Sequence, residues 1–139
     1  MEKKGPIRPL HLGVSVADLD ASIQWYHDML DFDLKKTVRV EHIRCDIAVM
    51  GLRGTDFELE LFHHWDSKPV PEERLDPDTD VQTQGVKHLC FYVEGLEKKI
   101  EQLRAADVTI VCGPGTFEPY TFYYIQDNSG ALVELQELI

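Results

Sequence analysis

The feature that most constrains how this chain can fold is an internal repeat. HLGVSVADLDASI, beginning at His11, lines up with HLCFYVEGLEKKI, beginning at His88, with His, Leu, Val, Leu and Ile at matched places. A repeat of this kind predicts two copies of one supersecondary unit, and it has to be recognised before any other fold reasoning. In each copy a short alternating strand runs into a turn and then into residues of helical period. Asp18 is the expected N-cap of the first helix, with Ile23, Tyr26, Met29 and Leu30 as its apolar positions. Leu96, Ile100, Leu103 and Ala106 play the same part in the second.

After each helix the period changes to two. Residues 34–40, 45–50 and 57–62 read as strands in the first half, and residues 108–111, 121–125 and 131–135 in the second. Asp127-Asn128-Ser129-Gly130 is a strong turn signal between the last two. Each half is therefore β-α-β-β-β, as module 9–65 and module 85–138. The connection 66–84 holds three of the seven prolines and many acids, and it reads as a surface link. Modules of this size are marginal alone. The expected fold class is α+β: one domain spanning residues 1–139, a curved mixed sheet built from two βαβββ modules around a cavity.

Charge narrows the partners. Lys and Arg number 14 against 25 Asp and Glu, for a net charge of −11. That sign disfavours nucleic acid and anionic lipid. No apolar run approaches the ~20 residues of a membrane span, and the start, MEKKGPIRPLHLGV, has basic residues without a continuous apolar segment or a small-residue cleavage site. A cytoplasmic protein with a small-molecule substrate, no nucleic-acid partner and no membrane partner is expected. Cys45, Cys90 and Cys112 are widely spaced with no C-x-x-C pair, which argues against a disulfide framework or a thiolate zinc site.

Strand alternation places the chemistry. If Leu12, Val14 and Val16 face the helices, then His11 and Ser15 face the other way, and His88, Cys90 and Tyr92 do the same in the second copy. Leu59-Glu60-Leu61 and Val133-Glu134-Leu135 each set a carboxylate between two apolar neighbours. Taken singly, each histidine reads as a hydrogen-bonded strand residue and each glutamate as a carboxylate on a solvated face. Taken together at matched places, His11, Glu60, His88 and Glu134 suit one divalent transition metal ion, with Zn, Ni, Co, Mn and Fe all open. Glu58 shares a face with Glu60 and competes for its role. Gln136 and Glu137 compete less well with Glu134, being near the terminus.

His11, LELF at 59–62, GVKHLCFYV at 85–93 and DNSGALVEL at 127–135 resemble the vicinal oxygen chelate superfamily, from Pro9 to Leu138. That superfamily includes glyoxalase I, methylmalonyl-CoA epimerase, fosfomycin-resistance enzymes, extradiol dioxygenases and bleomycin-binding proteins. The resemblance implies that His11, Glu60, His88 and Glu134 are metal ligands. It also implies a lyase or isomerase that stabilises an enolate or enediolate of a small α-oxygenated carbonyl compound, with Glu134 as the base and Glu60 as second candidate.

Ser15 stands where glyoxalase I enzymes usually carry an arginine for the glutathione carboxylate, which tells against glutathione. An extradiol dioxygenase is the alternative enzyme, but no histidine follows His88 to act beside the metal. A non-catalytic, antibiotic-binding protein of the same fold is the alternative outside enzymes. Ser15, Phe62, Cys90, Tyr92 and Leu132 are the expected pocket residues. The aromatic stretch 117–124 reads mainly as strand packing, with Gly113-Pro114-Gly115 as a turn at the base of a possible loop over the site. His63 and His64 are candidate outer-shell proton carriers, and a homodimer is the expected assembly.

Overall fold

A computed structural model describes residues 5–139; Lys3 and Lys4, part of the basic start read above, lie outside the described residues. Asp18 is extended and its carboxylate accepts from the Ala21 amide at 2.9 Å, which starts helix α1, Leu19–Leu30. The helix buries Ser22, Tyr26 and Leu30. Small Ser22 takes an interior place where the apolar pattern pointed to Ile23 and Met29, and both of these are half-buried.

Around α1 run β1 (His11–Ser15), β2 (Phe32–Val40), β3 (Cys45–Leu52) and β4 (Glu58–His64). They form one mixed sheet in the order β1-β4-β3-β2, with β1 parallel to β4 and the other pairs antiparallel. Tyr26 meets Phe32 edge-on, at 5.9 Å between ring centroids, beneath the buried Met50, Leu59 and Leu61. Each such side chain contributes roughly 1.5–3 kcal/mol by leaving water.

The second half repeats the plan. β5 (Leu89–Tyr92), β6 (Ile110–Phe117), β7 (Tyr120–Gln126) and β8 (Leu132–Leu138) form a mixed sheet in the order β5-β8-β7-β6, with β5 parallel to β8. Helix α3, Leu96–Ala105, buries Leu96, Ile100 and Leu103 on it. Ala106 lies past the helix end and is exposed, so it is not one of the core positions expected. Glu137 on β8 caps this helix, accepting from the amides of Gly95 at 2.7 Å and Leu96 at 3.1 Å. Gly95 itself has a φ of 73°, which suits glycine at this entry.

Three further expectations change. Gly113-Pro114-Gly115 is no loop base: it lies inside β6, an edge strand, where a proline lacking its N–H leaves no ladder bond unmade. β8 continues to Leu138, so Gln136 and Glu137 are paired strand residues. The connection also folds, as a 3-10 turn at Glu72–Arg74 and the short helix α2, Pro77–Asp80. At its centre Asp80 is buried and receives Arg74 Nε at 2.8 Å, with Lys87 Nζ at 3.3 Å. Lys87 also donates to the carbonyls of Asp80 and Thr83. Gln126 Nε2 reaches the Leu75 carbonyl at 3.1 Å, which ties the connection to β7.

The chain accordingly divides into two compact units, Met1–Ser67 and Lys68–Ile139, with most of the connection in the second. No helix among the described residues is long and apolar enough to cross a membrane.

Candidate functional site

In the first unit the alternation runs as expected: His11, Gly13 and Ser15 are exposed while Val16 is buried. Parallel pairing sets Gly13 beside Glu60 and Ser15 beside Phe62. His11 Nε2 lies 3.4 Å from Glu60 Oε2. The competitor Glu58 is occupied elsewhere, by Lys35 Nζ at 2.7 Å, and this hydrogen bond holds its carboxyl below the usual range. Lys35 therefore selects Glu60 for His11. The Phe62 ring lies over Gly13, where a Cβ would come within 2.9 Å of Cε2, so the glycine provides the seat for that ring.

The second unit holds a denser cluster. His88 Nε2 lies 2.8 Å from Glu134 Oε2, and Glu134 is buried. Antiparallel pairing sets Tyr124 opposite Glu134 and Phe122 opposite Gln136, while Cys90 lies beside Glu134 and Tyr92 beside Gln136 on the other edge. The Tyr124 hydroxyl is 3.5 Å from His88 Nε2, and the two rings meet edge-on at 5.0 Å. Gln136 Nε2 donates to Glu134 Oε1 at 2.5 Å. Burial first, and then the Glu134 charge, push the Tyr124 phenol up, so it stays a proton donor at neutral pH. The same two causes push the Cys90 thiol up to about 11, which makes it a poor nucleophile.

Tyr124 and Gln136 were absent from the sequence-derived site. The Asp127–Gly130 turn carries the signal that finds them, because a hairpin closed there sets Tyr124 across from Glu134. Asp127 Oδ1 holds that turn through the amides of Ser129 and Ala131, at 2.8 and 2.9 Å. Of the expected pocket residues, Ser15 and Phe62 share the face of the His11–Glu60 pair, and Cys90 and Tyr92 that of the His88–Glu134 pair. Leu132 is buried.

His63 points the other way from Glu60. It lines a pocket of about 560 Å³ on the helix side, with Thr37, Arg39, Asp46 and the start of α1. His64 shares Glu60's face, but its Nδ1 accepts the Asp66 amide at 2.9 Å. Neither is placed as an outer-shell proton carrier for Glu60.

The donor chemistry of each pair fits a divalent transition metal. Bonds of about 2.0–2.2 Å, at angles of roughly 90–110°, set neighbouring ligand atoms about 2.8–3.5 Å apart. The two imidazole–carboxylate separations, 2.8 and 3.4 Å, fall in that range. Among the described residues no group of three or more His, Cys, Asp or Glu is positioned to hold a metal ion; what each unit supplies is a pair.

A family model described as the Glyoxalase/Bleomycin resistance protein/Dioxygenase superfamily matches residues 8–135. A lactoylglutathione lyase of Haemophilus influenzae is 25% identical over 134 residues, which cover 92% of this chain and 90% of that protein. Among solved structures, a glyoxalase family protein from Bacillus cereus superposes with a TM-score of 0.77 at 21% identity, covering 100% of this chain and 99% of its own. An antibiotic binding protein from Streptomyces sp. CB03234 superposes with a TM-score of 0.70 at 16% identity, covering 98% and 100%.

Proposed function

The chain belongs to the Glyoxalase/Bleomycin resistance protein/Dioxygenase superfamily, and from that premise we propose that it is a divalent-metal-dependent lyase or isomerase. Its substrate is a small compound with oxygens on adjacent carbons, and its chemistry is proton transfer at the carbon next to a carbonyl. His11, Glu60, His88 and Glu134 hold the ion. The observation that carries this reading is the pairing of an imidazole nitrogen with a carboxylate oxygen at ligand spacing in both copies of the repeat. Likeness to a lactoylglutathione lyase over most of both chains supports it.

When bound, the ion supplies Lewis acidity toward a substrate oxygen. The remaining steps belong to side chains. Tyr124, protonated and beside His88, donates a hydrogen bond to the substrate oxygen that gains charge. Glu60 takes the proton from carbon and returns it. The resemblance favours Glu134 for this step, but both Glu134 oxygens are engaged, whereas the Glu60 side chain is 27% exposed. Phe62 and Ser15 line the approach to Glu60, and the absence of a cation at Ser15 disfavours a substrate that carries a carboxylate there.

A second reading is a small-molecule binding protein without catalysis. The likeness in fold to an antibiotic binding protein favours it.

One experiment separates the readings. The purified protein is analysed for transition metals and then incubated, metal-loaded, with small α-hydroxy and α-keto compounds in deuterated water. Deuterium entering the carbon next to oxygen, lost in Glu60→Gln, supports the enzyme. Protein that takes up no transition ion, with ligand binding unchanged by His11→Ala, refutes it in favour of the binding protein. Oxygen uptake with a catechol refutes it in favour of a dioxygenase.

A further inference from the structure

Glu60 and Glu134 stand at equivalent places in the repeat, yet their surroundings differ. Glu60 lies 3.4 Å from His11 and is 27% exposed at its side chain. Glu134 is 9% exposed and engaged through both oxygens, Oε2 by His88 Nε2 at 2.8 Å and Oε1 by the Gln136 amide at 2.5 Å. The strand neighbours differ, Gly13 and Val49 beside Glu60 against Cys90 and Tyr124 beside Glu134, but the donor on Oε1 traces to one position. Two residues beyond the glutamate, on the same face, the first copy has Phe62 and the second has Gln136. Phe62 offers no donor, and its ring lies over Gly13, the residue paired with Glu60. The backbone is held alike in both copies, with the Phe62 carbonyl accepting from the Val16 amide and the Gln136 carbonyl from the Val93 amide, each at 2.8 Å, so it is the side chain that differs.

A carboxylate can present one oxygen to a cation or both. A donor that occupies Oε1 leaves Oε2 alone on the side of His88, and it also restrains rotation of the whole group. Groups of this kind, which touch a ligand residue and not the ion, commonly set metal affinity by 10–100-fold. We infer that Gln136 is a positioning residue whose amide fixes Glu134 as a one-oxygen donor beside His88, leaving Glu60 as the carboxylate free to carry the proton. This rests on the metal-dependent reading above. It explains how a repeat with two like carboxylates divides one structural task and one chemical task between them.

The test is a cobalt(II) titration of the full chain, followed by its visible absorption, for wild type, Gln136→Leu and His88→Ala. The expected result is one ion per chain in wild type and about tenfold weaker binding in Gln136→Leu. The absorption band should also change in the leucine variant, because a released Glu134 can offer its second oxygen. A role in packing alone would leave that band unmoved. If Gln136→Leu does not fold, Gln136→Asn, one methylene too short to reach Oε1, carries the same expectation.

Phe62→Gln is the converse variant: it places a donor beside Glu60 and should slow deuterium exchange by tying up the carboxylate that carries the proton. Cobalt affinity and band both unchanged in Gln136→Leu overturn the inference and leave the metal site standing. Equal binding by wild type and His88→Ala overturns the metal reading itself, and the role of Gln136 with it.

Discussion

Replacing Asp80 by alanine asks whether the folded connection is a structural part of the second unit. The Asp80 side chain is 2% exposed and faces Arg74 Nε at 2.8 Å and Lys87 Nζ at 3.3 Å. Removing one member of a buried charge cluster costs about 3–5 kcal/mol, because the partners are left without compensation. Arg74 and Lys87 retain 34% and 26% exposure, so water recovers part of that loss and the low end, about 3 kcal/mol, applies. An unfolding entropy of about 2.1 cal/mol/K per residue gives about 0.3 kcal/mol/K for this chain, and hence a fall in Tm of about 10 °C. If the second unit melts by itself, its smaller entropy roughly doubles the shift of that transition and leaves the other in place.

The same contact has a defined pH dependence. Burial alone would raise the Asp80 carboxyl, but its hydrogen bonds to Arg74 and Lys87 outweigh that and hold it below the ordinary aspartate value. A carboxyl depressed in the folded state contributes fully above its unfolded pKa, about 3.9, and loses that contribution as pH falls through the folded value. The gap between wild type and Asp80→Ala should therefore be full at pH 7 and narrow below about pH 4. Differential scanning calorimetry across this range reads both effects. A fall of less than about 3 °C at pH 7, or a gap that widens in acid, would refute the reasoning.

Cobalt or zinc at about a hundred times its dissociation constant should stabilise the wild type by about 2.7 kcal/mol in thermal melts, and His88→Ala should remove most of that shift. Tyr124→Phe should lower turnover at least about tenfold while leaving cobalt binding within about twofold; steady-state kinetics alongside a metal titration checks the split. Gly113→Ala should cost about 2 kcal/mol or more by urea denaturation, because φ is 124° and the added Cβ would sit 2.9 Å from the Phe122 carbonyl oxygen. Gly54→Ala, with a φ of 80° but open space around it, should cost only about 1 kcal/mol.

The repeat made the fold legible because both copies carry the same strand-to-helix entry, and alternation then placed His11, Glu60, His88 and Glu134 on the faces they occupy. Glu58 and Glu60 are alike in one-dimensional pattern, and the choice between them lies in Lys35, which reaches Glu58 from a strand two places away in the sheet. Tyr124 looked like packing because aromatic residues are ordinary in strands, and only the pairing across the Asp127–Gly130 turn gives it a partner. Gln136 lies near the terminus in the sequence, yet β8 lies between β5 and β7, and an interior strand does not fray. The connection looked like a link because prolines and acids dominate it; a single buried aspartate, invisible in composition, organises it.

Strand β8 carries Glu134 toward His88 on one face and, three residues on, Glu137 toward the start of α3 on the other. A strand that slipped by one residue would move about 3.3 Å and exchange its faces. It would have to release the helix cap before it could misplace the site carboxylate. The helix thus serves as a ruler for a group it never touches. Substitutions at Gly95 or Glu137, on the opposite face of the strand from Glu134, are accordingly where a drift in the position of Glu134 would begin.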